Sequence, residues 1–239
     1  MPPEGANLLL KALSPESRNR LLSNATMVTL PLKAVLYEPE EQPRYGYFLT
    51  SGVASVVASV EEGGTAEVGM IGLEGIAGGV QLLGPAPVPT QCFMQAAGAA
   101  VRIPFIELRK AYRESDEIQE RILEYVQTQA LGASQISGCH RLHDAEARLA
   151  RWLLMVRDRI QSDSLGLTQE FLAQMLGSRR TTVTLVAGTL QKGGLIEYTR
   201  GRVHIVNAEN LEKAACSCYP ILRDLARNLY IHSIRNGHE

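Results

Sequence analysis

Residues 167–206 read LTQEFLAQMLGSRRTTVTLVAGTLQKGGLIEYTRGRVHIV. The pattern is helix, tight turn, helix, then a two-stranded ribbon. Thr168 is placed to cap the first helix, whose apolar face is Phe171, Leu172, Met175 and Leu176. Gly177 suits the sharp turn, and Ser178 is expected to cap the second helix. In that helix Val183, Val186, Ala187 and Leu190 recur at i, i+3, i+4 and i+7, a face to be buried. Thr181, Thr184, Leu185 and Gly188 fall on the opposite face. Gly193–Gly194 ends the helix, Leu195–Tyr198 and Arg202–Val206 read as strands, and Thr199–Gly201 turns between them.

Charge placement adds chemistry to this pattern. Arg179 and Arg180 stand in the first turn of the second helix, where the helix dipole is already positive. Two cations there are unfavourable unless an anion is held nearby, and a DNA backbone with its guanine edges supplies one. Arg200 and Arg202 flank the ribbon tip, within reach of phosphates. The formal charge of −1 conceals an asymmetry. Residues 140–239 carry fourteen Lys/Arg against ten Asp/Glu, a net of +4, and residues 1–139 carry ten against fifteen, a net of −5.

Helix, turn, helix and ribbon in this order resemble the winged helix-turn-helix of the Crp/Fnr family of bacterial transcription regulators. The order of the remaining segments is similar too, over nearly the whole chain. The resemblance implies an α+β architecture: an N-terminal antiparallel β-roll (jelly roll), a long dimerisation helix and a C-terminal winged helix-turn-helix. The expected divisions are residues 1–112 for the β-roll sensor with its N-terminal helices, 113–139 for the dimerisation helix and 140–239 for the DNA-binding domain.

The rest of the chain is consistent with that order. At 239 residues one or two domains are expected. Residues 7–24 suggest one or two short helices around Pro15. From Met27 the period falls to about two, with Val28, Leu30, Val35 and Leu36 opening a series of short strands. Residues 47–60 form a long β-prone segment, Glu61–Gly64 a hairpin signal, and Glu67–Ile71 and residues 91–104 the later strands. Regular short strands with Gly, Pro and acidic turns imply an antiparallel barrel or jelly roll. No apolar run reaches membrane-spanning length and no leader pattern opens the chain, so a cytoplasmic protein without a membrane partner is expected.

The family's cyclic-nucleotide binders hold their ligand in the loop matching residues 72–90. Gly72, Glu74, Gly75 and Ala77 resemble the front of that cassette, and Ser134 falls near the hydroxyl that faces adenine. Residues 78–90 contain no Lys or Arg, so a cyclic phosphate would lack its charge partner and Glu74 would repel it. Classical cyclic-nucleotide gating is therefore not expected, and the small-molecule effector is unknown. The iron–sulfur branch uses cysteines mostly near the N-terminus, and none precedes Cys92 here. A haem branch needs a sensory-domain histidine, and His140, His143, His204, His232 and His238 all lie later. His140 and His143 read as polar residues at a helix start.

Residues 105–139 read as one long helix. Ile118, Ile122, Tyr125, Gln129, Gly132 and Ile136 form a heptad seam, assigned here to a dimer interface. Leu123, Val126, Ala130 and Ala133 make a neighbouring stripe, so that one stripe can pack on the β-roll while the other meets a partner helix. SGCHR, residues 137–141, is the expected hinge, and 143–159 the helix that opens the DNA-binding domain, with Ala147, Leu149, Ala150, Leu153, Leu154 and Val156 as core candidates. Many family members insert a hairpin touching RNA polymerase where this chain has only IQSDSLG, residues 160–166; RNA polymerase remains a partner by resemblance. In the terminal helices Leu211, Ile221, Leu222, Leu225 and Leu229 are expected inward.

Four cysteines, Cys92, Cys139, Cys216 and Cys218, are sparse, the usage of a reducing compartment. Cys216-x-Cys218 has no third and fourth ligand nearby in sequence and lacks the usual zinc spacing, so it reads as buried packing. No metal, no cofactor and no enzymatic nucleophile–base pair are expected.

In the family's recognition helix an Arg, a Glu and a second Arg one turn later face base edges. Matched residue by residue, Arg180 keeps the first position, Thr181 replaces the glutamate and Leu185 replaces the second arginine. The resemblance thus implies base reading by Arg180, Thr181, Thr184 and Leu185, and phosphate contacts from Ser178, Arg179, Thr182, Arg200 and Arg202. The implied function is sequence-specific binding of double-stranded DNA by a homodimeric transcription regulator. A regulatory module that binds a cyclic nucleotide or other small molecule, with weak or vestigial DNA binding, stays open at this point.

Overall fold

The computed structural model describes residues 7–60 and 64–231. Most of the hairpin signal at 61–64, together with His232 and His238, lies outside the described residues. The chain folds as two compact units, one built on residues 7–56, 70–131 and 225–231, the other on 57–60, 64–69 and 132–224. The divisions read from the sequence were consecutive. The fold instead gives the end of a β-hairpin to the second unit and the last described turn to the first.

The first unit is an antiparallel β-roll. Helices α1 (Leu8–Lys11) and α2 (Pro15–Leu22) precede strands β1 (Thr26–Leu30), β2 (Val35–Tyr37), β3 (Tyr45–Val60), β4 (Gly64–Ile71), β5 (Ile76–Ala77) and β6 (Thr90–Pro104). The sheet order is β1-β6-β3-β4, with β2 added on β6 and β5 on β3. Strand β1 pairs with β6 from Thr26 opposite Arg102 to Leu30 opposite Gly98. Phe48, Leu49, Ile76, Met94, Val101 and Ile103 fill its interior, where Leu108 and Ile118 join them. Asn7 caps α1 through its Oδ1 and, itself buried, donates through Nδ2 to the carbonyls of Leu49 at 3.0 Å and Gly75 at 2.9 Å.

The expected single helix over 105–139 is two helices, α3 (Phe105–Glu114) and α4 (Asp116–Leu142). Ser115 breaks the run in an extended conformation, and its Oγ accepts from the Ile118 N–H. Asp116 and Glu117 then stand in the first turn of α4, complementing its dipole. At the other end α4 runs straight through 137–141, the expected hinge, and the break comes at His143–Asp144. Asp144 caps α5 (Ala145–Ile160), accepting from the Ala147 N–H at 2.8 Å.

Much of the seam expected at a dimer interface packs within the chain. Ile118, Ile122 and Tyr125 are buried in the β-roll core. Gln129 donates to the Met70 carbonyl at 3.1 Å and the Tyr125 hydroxyl at 2.9 Å. In the second unit Ile136 is buried, and Gly132 lies against Leu222. The β-roll needs an apolar cover, and this stripe of α4 supplies it. Of the neighbouring stripe Leu123 and Ala130 are exposed, as is the adjacent Leu131.

The second unit continues with β7 (Ser164–Leu165), α6 (Gln169–Met175), α7 (Arg180–Lys192), β8 (Ile196–Thr199), β9 (Arg202–Ile205), α8 (Ala208–Ala214) and α9 (Cys218–Asn228). The ribbon gains a third strand, in the order β7-β9-β8. Leu149, Ala150, Trp152, Leu153, Leu154 and Val156 of α5 are buried, as are Val183, Val186, Ala187 and Leu190 of α7. Ala147 is only half-buried, and Ile221, expected inward, is exposed while Leu211 and Leu222 are buried. Leu229 is buried too, but in the β-roll core.

Trp152, the single tryptophan, is buried and donates through Nε1 to Glu67 Oε1 at 2.8 Å. Glu67 is only 4% exposed. This bond ties the end of the β3–β4 hairpin to α5 within the second unit. Trp152→Phe leaves a buried carboxylate short of a donor and should lower stability by about 1–3 kcal/mol. Urea denaturation followed by far-ultraviolet circular dichroism measures the loss; equal stability would show that the bond contributes nothing.

Candidate nucleic-acid interface

Local chemistry explains how α6 and α7 are held. Thr168 caps α6 as expected, its Oγ1 accepting from the Phe171 N–H at 3.1 Å. Leu172, Met175 and Leu176 are buried, and Phe171 is half-buried with its ring edge-on to Trp152, centroids 6.4 Å apart. Gly177 adopts φ +56°, a left-handed conformation that favours glycine, and a Cβ there would stand 3.1 Å from the Ala66 Cβ. The turn is therefore limited both in conformation and in space.

Ser178 does not cap α7. Its Oγ donates to the Leu176 carbonyl at 3.3 Å and accepts from Arg148 Nη2 at 3.3 Å. The cap position is Arg179, which makes no side-chain cap bond. The first-turn N–H groups of α7 therefore end without a side-chain acceptor at the cap, beside two exposed guanidinium groups, Arg179 and Arg180.

On α7, Thr181, Thr184 and Leu185 are exposed, Leu185 to 72%, and Thr182 is half-buried. The Thr184 hydroxyl lies 2.8 Å from Gln169 Oε1 and 3.0 Å from the Arg180 carbonyl, bracing α7 on α6. In the ribbon Arg200 (φ 46°) and Gly201 (φ 79°) form a turn with two left-handed residues, the hairpin type whose twist matches the strands. Register runs from Thr199 opposite Arg202 to Ile196 opposite Ile205. Tyr198 on β8 donates its hydroxyl to the Leu167 carbonyl at 2.9 Å. Its pKa is raised by burial against the opposing charge of Arg180. Among the described residues Arg179, Arg180, Arg200 and Arg202 form no ion pair, and all four are exposed.

The residues expected around an effector are already packed. Glu74 and Ala77 are buried. A Cβ on Gly75 would stand 2.2 Å from the Tyr125 ring, so that ring occupies the space beside residue 75. The Gly75 carbonyl accepts from Asn7 and the Glu74 carbonyl from the Tyr230 hydroxyl at 3.1 Å. The Gly72 carbonyl closes this turn by accepting from the Gly75 N–H at 3.3 Å. Ser134 belongs to the other unit and is exposed.

One grouping escaped the sequence. Cys139 on the last turn of α4 and His143 just past its end meet Cys216 and Cys218 from the α8–α9 junction, with one N or S atom from each residue within 4.8 Å of the others. Cys216 and Cys218 are buried, as expected, but the absence of further ligand-type side chains nearby holds only along the sequence, because Cys139 and His143 come beside them from more than seventy residues away. The one signal available was the Cys-x₃-His spacing, which sets two ligands on one helix face.

Comparison with known proteins follows this geometry. Residues 147–214 match the Crp-like helix-turn-helix domain. No curated protein matches the chain in sequence. Among solved structures, the chain is similar to a Crp/Fnr-family transcriptional regulator from Eubacterium rectale, at 16% identity and TM-score 0.70 over 86% of this chain and 96% of that one. It is similar to the c-di-GMP responsive global regulator CLP of Xanthomonas campestris, at 17% identity and TM-score 0.67 over 80% and 99%. It is also similar to a Crp-family transcriptional regulator of Thermus thermophilus, at 22% identity and TM-score 0.66 over 79% and 96%. Among the described residues no helix is long and apolar enough to cross a membrane. Residues 147–214 thus match the Crp-like helix-turn-helix model, and the fold of the chain is similar to that of solved Crp/Fnr-family regulators.

Proposed function

We propose that this chain is a homodimeric, sequence-specific DNA-binding transcription regulator in which α7 reads bases and the β8–β9 ribbon grips phosphates. The observation that carries this reading is the set of four exposed arginines without a counter-ion among the described residues, on a helix head and wing anchored by a buried core. Cations so placed await an external polyanion. Arg180 has the donor geometry to bond guanine O6 and N7, worth about 1–3 kcal/mol of discrimination. Thr181 and Thr184 offer hydroxyls, and Leu185 suits a thymine methyl. Arg179, Arg200, Arg202, Ser178 and Thr182 set the register on phosphates. Ser178 is the weakest of these, since its hydroxyl is already engaged by Leu176 and Arg148. A homodimer places two copies of α7 in successive major grooves about one helical turn apart, on a roughly palindromic operator.

The dimer contact belongs to the exposed side of α4, at Leu123, Ala130 and Leu131, because the other side covers the β-roll. Gating by a classical cyclic nucleotide is not part of this reading. Tyr125, Asn7 and Tyr230 pack on the Glu74–Gly75 turn, and residues 78–90 hold no cation. An effector of other chemistry, and contact with RNA polymerase, remain compatible with it.

Arg180→Ala should relax specificity at one base pair per half-site, whereas Arg202→Ala should weaken all duplexes alike and lower the salt slope by about one unit per half-site. Fluorescence anisotropy with cognate and random duplexes separates the two; uniform weakening by Arg180→Ala removes it from base readout. The same titration at physiological salt distinguishes a regulator from a module with vestigial DNA binding.

Leu123→Glu with Leu131→Glu should give folded monomers that lose operator affinity, and Ile122→Glu should instead unfold the β-roll. Sedimentation velocity with circular dichroism reads both, and a dimeric Leu123→Glu/Leu131→Glu protein moves the interface elsewhere.

Cyclic AMP should give no binding heat in calorimetry at micromolar protein. Saturable binding there would mean that Tyr125 vacates the space beside Gly75.

A further inference from the structure

The DNA-binding reading leaves the quartet of Cys139, His143, Cys216 and Cys218 unused. Its members come from two segments of the second unit, the end of α4 and the entry to α9. The Cys139 and Cys216 sulfurs are 3.5 Å apart, and the Cys218 sulfur is 3.6 Å from His143 Nδ1. All three of these cysteines are free thiols and are buried, at 1%, 7% and 1% exposure. A tetrahedral Zn²⁺ with bonds of about 2.3 Å to sulfur and 2.0–2.1 Å to nitrogen has ligand–ligand edges of about 3.5–3.8 Å. The 3.5 Å and 3.6 Å separations match such edges, and all four ligand atoms lie within 4.8 Å of one another, close enough to converge on a single ion. An iron–sulfur cluster interposes several irons and sulfides, and needs its cysteines farther apart.

Two further observations surround the quartet. Gln135, one turn before Cys139 on the same helix face, donates through Nε2 to Cys218 Sγ at 3.1 Å, the outer hydrogen bond a metal thiolate accepts. Arg151 on α5 is 2% exposed. Its Nη1 bonds Met155 Sδ, and its Nε has no hydrogen-bond partner among the described residues. Its charge acts on both Cys139 and Cys216. A buried guanidinium without a carboxylate is costly unless an anion lies near. Zn²⁺ with three thiolates and a neutral imidazole carries one net negative charge, which Arg151 offsets.

We propose that Cys139, His143 through Nδ1, Cys216 and Cys218 bind one Zn²⁺ as a closed, structural Cys₃His site. Three thiols lose their protons on binding, and the ion has no open position for substrate. The site fastens the end of α4 to the α8–α9 junction, so the metal's binding energy adds to the stability of the unit that carries the helix-turn-helix.

The test uses the full chain purified under reducing conditions. Plasma mass spectrometry should find one zinc per chain. After chelation, Co²⁺ should restore a tetrahedral ligand-field spectrum with a sulfur-to-cobalt charge-transfer band, and the chelated protein should melt at a lower temperature than the zinc form. Cys139→Ser, Cys216→Ser, Cys218→Ser and His143→Ala should each weaken Co²⁺ binding at least tenfold, and Cys92→Ala should not. A wild-type chain that takes up no zinc, or whose Co²⁺ spectrum is octahedral and free of thiolate bands, overturns the site. So does a melting temperature indifferent to chelation. The wild-type spectrum decides the matter even where a variant fails to fold.

Discussion

The Tyr125 ring occupies the space that a side chain at residue 75 would need, and much of the first unit follows from that contact. It commits one face of α4 to the β-roll, with Ile118 and Ile122 buried above it and Gln129 bonding Met70 and Tyr125 below. It also fills the space beside the Gly72–Gly75 turn. Two distant residues complete the filling, Asn7 on the Gly75 carbonyl and Tyr230 on the Glu74 carbonyl. A closed turn and a spent helix face are thus two results of one packing choice. The apolar residues of α4 that stay exposed are Leu123, Ala130 and Leu131.

In the second unit the corresponding constraint is the buried bond from Trp152 to Glu67. A carboxylate this deep must be hydrogen-bonded, so the hairpin end stays beside α5. Ala66 on that hairpin end comes under Gly177, limiting the turn between α6 and α7. With the turn and the buried faces satisfied, the arginines at the head of α7 and the ribbon tip are left to solvent, and their charge remains available to an anion.

Local patterns carried the winged helix-turn-helix. The i, i+3, i+4, i+7 face of α7, the Thr168 cap and the Gly177 turn were legible because each depends on residues within one or two turns. Two local signals were misread. Ser115 followed by Asp116 and Glu117 is a helix start, yet the apolar period continues across it and hid the break. Ser178 has a capping side chain, but Arg148, thirty residues earlier, and the Leu176 carbonyl claim it.

The amino-acid sequence by itself determined the class of the protein: strand period in the first half, helix–turn–helix–ribbon in the second, and a basic C-terminal half. Tertiary structure alone decided which stripe of α4 is buried, because two apolar stripes on one helix are equivalent until a sheet covers one of them. It alone decided that the hairpin end joins the winged helix, since the Glu67–Trp152 bond spans eighty-five residues. It alone assembled Cys139, His143, Cys216 and Cys218, because ligand geometry is a relation in space, and a spacing of seventy-seven residues between two sulfurs carries no distance.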